Sequence, residues 1–306
     1  MLYDVIILGS GPAGLSAAIY AQRARLNTLV IEEKPLSGGQ ILDTYEVDNY
    51  PGIWGITGFE IGQKFRTHAD KLGAKIINAE VLNIKLQENK KIIETSKENY
   101  EAKCLIIATG ARHRKLEVLG EEKFFGRGVS YCATCDGAFF KGKTVAVVGG
   151  GDVALEDALF LARGCEKVYL IHRREEFRGA KILQEKVKET ENIELILNSN
   201  VTEICGEEQI SSIMLHNHKE KMNKELEVQG IFIAIGIEPN SAVVKDLVAQ
   251  DNQGYIIAGE DTKTSTEGIF VAGDVRTKQL RQVITAASDG ANAITSVEHY
   301  IQIGKQ

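Results

Sequence analysis

Apolar and polar positions along the chain follow one pattern twice. Residues 3–8 form a β-branched run that stops at Gly9, the signature of a strand buried on both faces. From Gly9 the period becomes helical and lasts to about Arg25, and residues 28–31 make a second apolar strand ending at Glu32. Residues 58–73 place Ile61, Phe65, Ala69 and Leu72 on one face of an amphipathic helix, with His68 packed beside that face. After 75–77, the alternating runs 81–86, 92–95 and 100–103 predict a β-meander, and a buried strand over 104–110 ends in Thr109-Gly110. The order then repeats: strand 144–148, a glycine turn, helix 154–163, strand 167–171, helix 180–190, short strands, and an apolar strand over 231–236. Its ending, Ile-Ala-Ile-Gly, echoes the Ile-Ala-Thr-Gly of the first copy, so the chain carries a domain-scale duplication.

Past a linker at 237–240, the strand 268–274 and the small-residue helix 282–300 have no fingerprint of their own and need a sheet to pack on. They are expected to return to the first domain. The fold class is therefore α/β, two Rossmann-like three-layer nucleotide-binding domains with the second inserted into the first. Residues 1–112 and 242–306 form the discontinuous domain, and 113–241 the inserted one.

Composition changes little in this picture. A chain of 306 residues is long for one core. Its 43% hydrophobic and 25% charged residues are ordinary for a globular protein. A net charge of −6 offers no footprint for nucleic acid. The apolar N-terminus has Asp4 where a signal peptide has basic residues, and glycines interrupt it. No apolar run approaches the roughly 20 residues that span a bilayer. The expectation is a cytoplasmic protein without a membrane partner, a setting in which a C-x-x-C is catalytic rather than structural.

The turn Gly9-Ser10-Gly11-Pro12-Ala13-Gly14 lies between strand and helix, where the first glycine permits the turn, the second a pyrophosphate, and the third close packing. Glu32, 18 positions after Gly14, would accept both hydroxyls of a ribose and repel a 2′-phosphate, so this site suits FAD or NAD. The bland reading is a glycine turn with a surface glutamate. Ser37-Gly38-Gly39-Gln40 and Asp48-Asn49-Tyr50-Pro51-Gly52 are two further open loops. In the second copy, Gly149-Gly150-Gly151-Asp152-Val153-Ala154 is the turn, but the second strand ends in His172-Arg173-Arg174, with Arg178 one helical turn beyond Arg174. Cations there select a phosphorylated ribose, against the alternative of a basic surface helix start.

Between the copies stands Tyr131-Cys132-Ala133-Thr134-Cys135-Asp136-Gly137. Two cysteines at this spacing can close a small disulfide ring beside an acid, a redox unit with its own proton donor. A half zinc site or two incidental thiols are the competing readings. Zinc wants a second ligand pair, and Cys104, Cys165 and Cys205 stand alone.

Taken in order, Gly9-x-Gly11-x-x-Gly14, Gly38-Gly39-Gln40, Cys132-Ala133-Thr134-Cys135-Asp136, Gly149-x-Gly151-x-x-Ala154, His172-Arg173-Arg174 with Arg178, and Gly273-Asp274 resemble the low-molecular-weight thioredoxin reductases over essentially the whole chain. The resemblance implies a homodimeric flavoenzyme that passes electrons from NADPH through FAD and the Cys132–Cys135 disulfide to thioredoxin. It makes Cys135 the flavin-side sulfur, Cys132 the sulfur that attacks the partner, and Asp136 the proton shuttle. Contacts to FAD are expected from Gly9 to Gly14, Glu32, Glu33, Gly39, Gln40, Asn49, Val81, Ala108, Thr109, Gly110, Gly273, Asp274, Arg281, Gln282 and Val283. For NADPH they are expected from Gly149, Gly151, Asp152, Val153, Ala154, His172, Arg173, Arg174, Arg178, Ile235 and Gly236. No metal is expected.

Val153 departs from the family, where Ser or Thr is usual, so NADPH binding should be weakened but kept by the helix-start N–H groups. Neither an N-terminal thioredoxin-like extension nor a C-terminal second redox pair is expected. The alternatives are a reductase of a glutaredoxin-like protein serving a peroxidase, an enzyme fed by ferredoxin, which the arginines argue against, and a flavin redox sensor without turnover. Since the cysteines fall in the second domain with the NADPH fingerprint, a domain rotation in each cycle is expected about crossings at 111–114 and 237–240.

Overall fold

The computed structural model describes residues 1–44, 47, 49–87 and 90–303. Asp48, named above in an open loop, lies outside the described residues. In chain order the elements are β1 (Leu2–Leu8), α1 (Pro12–Arg23), β2 (Thr28–Glu32), α2 (Gly58–Lys71), β3 (Lys75–Asn78), β4 (Val81–Gln87), β5 (Lys90–Thr95), β6 (Asn99–Ile107) and β7 (Ala111–His113). Then come β8 (Val129–Ser130), α3 (Ala133–Asp136), β9 (Thr144–Gly149), α4 (Asp152–Ala162), β10 (Lys167–Ile171), α5 (Lys181–Glu189) and β11 (Ile193–Ile196). The remainder are β12 (Ser199–Gly206), β13 (Ile210–Asn217), β14 (Met222–Glu227), β15 (Gly230–Ala234), β16 (Ile237–Pro239), β17 (Ile269–Val271) and α6 (Val283–Ile303). They form two compact units, Met1–Arg112 with Glu238–Gln306, and His113–Ile237.

In the first unit the sheet runs β3-β2-β1-β6-β5-β4, with β17 also paired to β6. Alternate residues of β1 serve opposite cores. Val5 and Ile7 face Ala17, Ala21, Phe270, Ala293 and Val297, while Ile6 and Leu8 face Leu29, Ile31, Leu105 and Val271. Both faces are covered, which is why β1 reads as a continuous apolar run. The tail helix α6 packs closely on α1 at Gly290, where a Cβ would collide with the carbonyl oxygen of Ala13.

The sequence runs 100–103 and 104–107 turn out to be one strand. β6 pairs antiparallel with β5 through residues 99–102 and parallel with β17 through 105–107, while β1 lies along its other edge. The alternating half ends the meander, and the apolar half is the centre of the parallel sheet.

The second unit repeats the plan as β11-β10-β9-β15-β8, and its meander β12-β13-β14 forms a separate sheet. One face of β9 packs under α4 through Val145 and Val147, and the other meets the meander through Ala146 and Val148. Residues 173–176 are bends, so the expected helical turn between Arg174 and Arg178 is absent and α5 begins only at Lys181. The N–H groups of Arg178 and Gly179 both donate to the Gly150 carbonyl, and that of Ala180 donates to Asp152. These bonds hold the segment against the glycine turn and out of a helix.

Candidate active site

In the first unit the residues expected at FAD converge on the β1–α1 turn. Gly9 has φ +98°, and a Cβ there would strike the carbonyl of Ala108. Gly14 packs on the carbonyl of Gly9, whereas a Cβ on Gly11 would meet nothing nearer than 3.9 Å, which leaves its face open. Pro12 opens α1, Ala13 is buried beneath it, and Gly39, at φ +63°, lies beside Gly11. Ser10 is buried and donates its N–H and its hydroxyl to Glu32 Oε2, both at 2.7 Å, while Oε1 accepts Lys34 N–H at 2.9 Å. Carboxylate oxygens can accept more than one bond, so Glu32 keeps acceptor capacity for a ribose.

Around this turn, Thr109 donates its hydroxyl to Asn240 O at 2.6 Å, and Asn240 returns bonds to Thr109 O and Gly110 O. Gln40 donates to Ala111 O, and Asn49 donates to the side-chain oxygen of Gln282 at 3.1 Å. Gly273, at φ +81°, lies against Ala13. Next to it, Asp274 Oδ1 is buried without a partner, and burial pushes that carboxyl up. An orphaned acceptor of this kind suits a hydroxyl-bearing ligand, so the residues present fit FAD.

Arg281 stacks on Tyr255 with its guanidinium carbon 4.2 Å from the ring centroid and donates to Asp274 O at 3.4 Å. Val283 opens α6. Glu33 is exposed beside Glu32. Val81 opens β4 and packs on the core that contains Ile84 and Ile31, the residue before Glu32.

The second unit builds its turn the same way. A Cβ on Gly149 would collide with the Ala234 carbonyl and Ala154, while Gly151 has nothing within 4 Å of that position. Ala154 is buried, and Val153, 60% exposed, supplies no donor at the start of α4. Asp152 Oδ1 is occupied by Ala180 N–H at 2.7 Å, so this carboxylate fastens the arginine segment. Gly236, at φ +113°, follows Ile235 and accepts Arg114 N–H at 3.0 Å through its carbonyl.

His172 is buried, stacked on Phe177 at 5.3 Å, with Nε2 unpartnered. Burial lowers its pKa, and Arg178, Arg173 and Arg174 lower it further against a bond that the ring donates to the Glu176 backbone. The three arginines are exposed, and their side chains make no hydrogen bond or ion pair among the described residues. An open glycine turn, a helix start and unpaired cations fit a phosphorylated dinucleotide.

Cys132 and Cys135 are disulfide-bonded, with Cα atoms 5.3 Å apart. Cys132 caps the one-turn helix α3, and its carbonyl accepts the N–H of Cys135 and of Asp136. Asp136 accepts the Ser130 hydroxyl on Oδ2 at 2.6 Å, while Oδ1 is buried without a partner. Burial pushes this carboxyl up, partly offset by the Ser130 bond. Tyr131, just before Cys132, donates to buried Glu121 at 2.6 Å and stacks on His113 at 5.1 Å. The described residues contain no group of three or more His, Cys, Asp or Glu placed to hold a metal.

Ser130, Glu121, Asn240 and Asp289 escaped the sequence reading. Asp289 alone left a signal, a lone acid within the small-residue run of α6. It accepts Gly273 N–H at 2.9 Å and pairs with Arg276 at 2.7 Å and Lys278 at 2.8 Å, so it anchors the Asp274 turn.

The pattern of the pyridine nucleotide-disulphide oxidoreductase family matches residues 3–290. The thioredoxin reductase of Bacillus subtilis is 42% identical over 302 residues, 98% of this chain and 95% of that protein. Among solved structures, the thioredoxin reductase of Streptococcus pyogenes is similar with a TM-score of 0.93 at 42% identity, covering 99% of each chain. A ferredoxin-flavin thioredoxin reductase from Clostridium acetobutylicum is similar with a TM-score of 0.53 at 32% identity, covering 98% of this chain and 99% of that one. With its two dinucleotide turns and its disulfide, the chain belongs to the pyridine nucleotide-disulphide oxidoreductases, on the branch of the low-molecular-weight thioredoxin reductases.

Proposed function

We propose that this chain is an NADPH-dependent flavoenzyme that reduces thioredoxin, or a partner of thioredoxin fold, through its Cys132–Cys135 disulfide. The observation that carries the reading is the disulfide itself, followed directly by Asp136 with its orphaned carboxyl oxygen, in the same unit as three arginines whose side chains have no partner among the described residues. When bound, NADPH supplies a hydride, and FAD relays the electron pair to a disulfide.

The chain's own residues do the rest. In the first unit, Gly9, Gly11 and Gly14 shape the turn that would hold the FAD pyrophosphate, Glu32 its ribose, and Asp274 and Gln282 its flavin end. In the second, the start of α4 would hold the NADPH pyrophosphate, and Arg173, Arg174 and Arg178 its 2′-phosphate. Asp136 holds the proton that a sulfur needs as the disulfide opens, and Cys132 attacks the partner disulfide to form a mixed disulfide that Cys135 resolves.

Because the disulfide and the NADPH turn share one unit while the FAD turn belongs to the other, hydride donor and acceptor take turns, and one unit rotates about the β7 and β16 crossings. The working form is a homodimer. A cytoplasmic setting goes with this reading, since thiols such as Cys104 and Cys165 stay reduced there. No helix among the described residues is long and apolar enough to cross a membrane.

NADPH added to the purified yellow protein should bleach it, and thioredoxin with a disulfide dye should then turn over continuously. Bleaching without turnover on a panel of the host's thioredoxin-fold proteins would favour the redox sensor. Activity with reduced ferredoxin and none with NADPH would overturn the donor assignment. Fluorescent labels on the two units should report two interconverting distances, and sedimentation should give twice the chain mass.

A further inference from the structure

Ser130 lies at the end of β8, two residues before Cys132, and is 3% exposed. Its hydroxyl donates to Asp136 Oδ2 at 2.6 Å, accepts the Cys132 N–H at 3.0 Å and lies 3.4 Å from the Cys132 carbonyl oxygen. We propose that Ser130 is the positioning residue of the redox centre, holding Asp136 in fixed relation to Cys132 in both protonation states of the carboxyl. The proposal rests on the reading of Asp136 as the acid that serves the disulfide.

A serine hydroxyl has one hydrogen to donate and two lone pairs to accept with. With Asp136 ionised, the serine hydrogen goes to Oδ2 and one lone pair receives the Cys132 N–H. With Asp136 protonated on Oδ1, the serine hydrogen still goes to Oδ2, now a neutral and weaker acceptor, so Ser130 holds the carboxyl in both states and favours the ionised one. Only the proton on Asp136 has come or gone, and Ser130 keeps its partners in both states. A methyl group could do neither. Oδ1, buried and unpartnered, remains the oxygen free to take up or release the proton.

The surroundings leave few other influences. Against α3 pack the turn 137–140, which has no ionisable side chain, and α4, which carries Asp152, Glu156 and Asp157. Tyr131 beside the loop is committed to Glu121. Burial pushes the Asp136 carboxyl up and the Ser130 hydroxyl draws it back, so deleting the hydroxyl must raise it further.

The test is an infrared titration of the oxidised full-length protein, in which the Asp136 carboxyl band is identified by its loss in Asp136→Asn. In Ser130→Ala the midpoint should move to higher pH, Ser130→Thr should return it toward the starting value, and the pH limb of thioredoxin reduction should follow both. A role limited to packing would lower stability and leave the midpoint in place, and a folded Ser130→Ala with an unmoved midpoint overturns the proposal. If Ser130→Ala does not fold, Ser130→Cys, a weaker donor of similar size, should shift the midpoint the same way, and an unmoved midpoint counts equally against it. An Asp136→Asn enzyme with the original pH limb would instead remove Asp136 as the acid, and the proposal with it.

Discussion

The imidazole of His172 lies so close over Gly150 that a Cβ on this glycine would come within 2.2–2.6 Å of three of its ring atoms. Gly150 is not one of the three residues that define the dinucleotide fingerprint, yet its carbonyl also receives the N–H groups of Arg178 and Gly179. One residue thus ties the glycine turn to the histidine and to the arginine segment. Gly150→Ala should displace His172 and cost about 1–3 kcal/mol through overpacking. Calorimetric titration should show weaker NADPH binding while FAD stays bound, because the strain lies wholly within the second unit. Unchanged NADPH affinity would show that the contact relaxes without cost.

Cofactor choice rests on the arginines. Since the side chains of Arg173 and Arg174 make no hydrogen bond or ion pair among the described residues, replacing both with Ala removes no such bond from the fold and two donors from a 2′-phosphate. At about 1.5–3 kcal/mol for a hydrogen bond to a charged group, discounted for exposure, kcat/KM with NADPH should fall about tenfold or more. NADH has no such phosphate, so its kcat/KM should hardly change. Equal losses with both would make these residues structural.

The two sulfurs should separate in a trapping experiment. A partner lacking its resolving cysteine should form a stable mixed disulfide with Cys135→Ser, through Cys132, and little with Cys132→Ser. Mass spectrometry of the linked peptides would settle it, and the opposite pattern would exchange their roles.

How much of this was legible in the sequence varied with the range of the interaction. Gly9, Gly14 and Gly149 could be read because their spacing is itself the signature, although the carbonyls that exclude a Cβ at Gly9 and Gly149, those of Ala108 and Ala234, are distant in sequence. The continuity of β6 could not, because its polar half and apolar half each make sense alone and only β1, running along one edge, joins them. The arginine segment was misread as helical because four-residue spacing carries no record of the long-range bonds to Gly150 and Asp152. Ser130 and Glu121 looked like ordinary polar residues, since what marks them is a buried partner met only in the fold.

Asp157, half buried on α4, has its carboxyl pushed up to about 7 by burial, with help from neighbouring Glu156. An acid raised by folding is compatible with the fold below its unfolded pKa, near 4, and loses that stability as pH rises through its folded value. Asp157→Asn should therefore raise the melting temperature at pH 8 and change it little at pH 4. A gain of the same size at both would point to packing rather than to charge.

The buried trio of Asp289, Arg276 and Lys278 should behave in the opposite sense. Burial alone would raise the Asp289 carboxyl, but the bonds from Arg276 and Lys278 outweigh it and hold the group below its ordinary value. Its contribution is thus present above the unfolded pKa and lost as pH falls below about 4. Asp289→Asn keeps the shape but leaves two buried cations facing a neutral amide, a loss of about 3–5 kcal/mol by analogy with other broken buried pairs. Because Asp289 also accepts the Gly273 N–H, the variant should release FAD more readily on dilution, as the Asp274 turn loosens. Replacing the trio together, as Asp289→Leu, Arg276→Met and Lys278→Met, removes the stranded charges and should recover much of the melting temperature. It should not recover FAD retention, because leucine offers the Gly273 N–H no acceptor. Recovery of both would mean that the trio acts on the fold alone, and recovery of neither would mean that the cavity shape, not the charge, is what α6 requires.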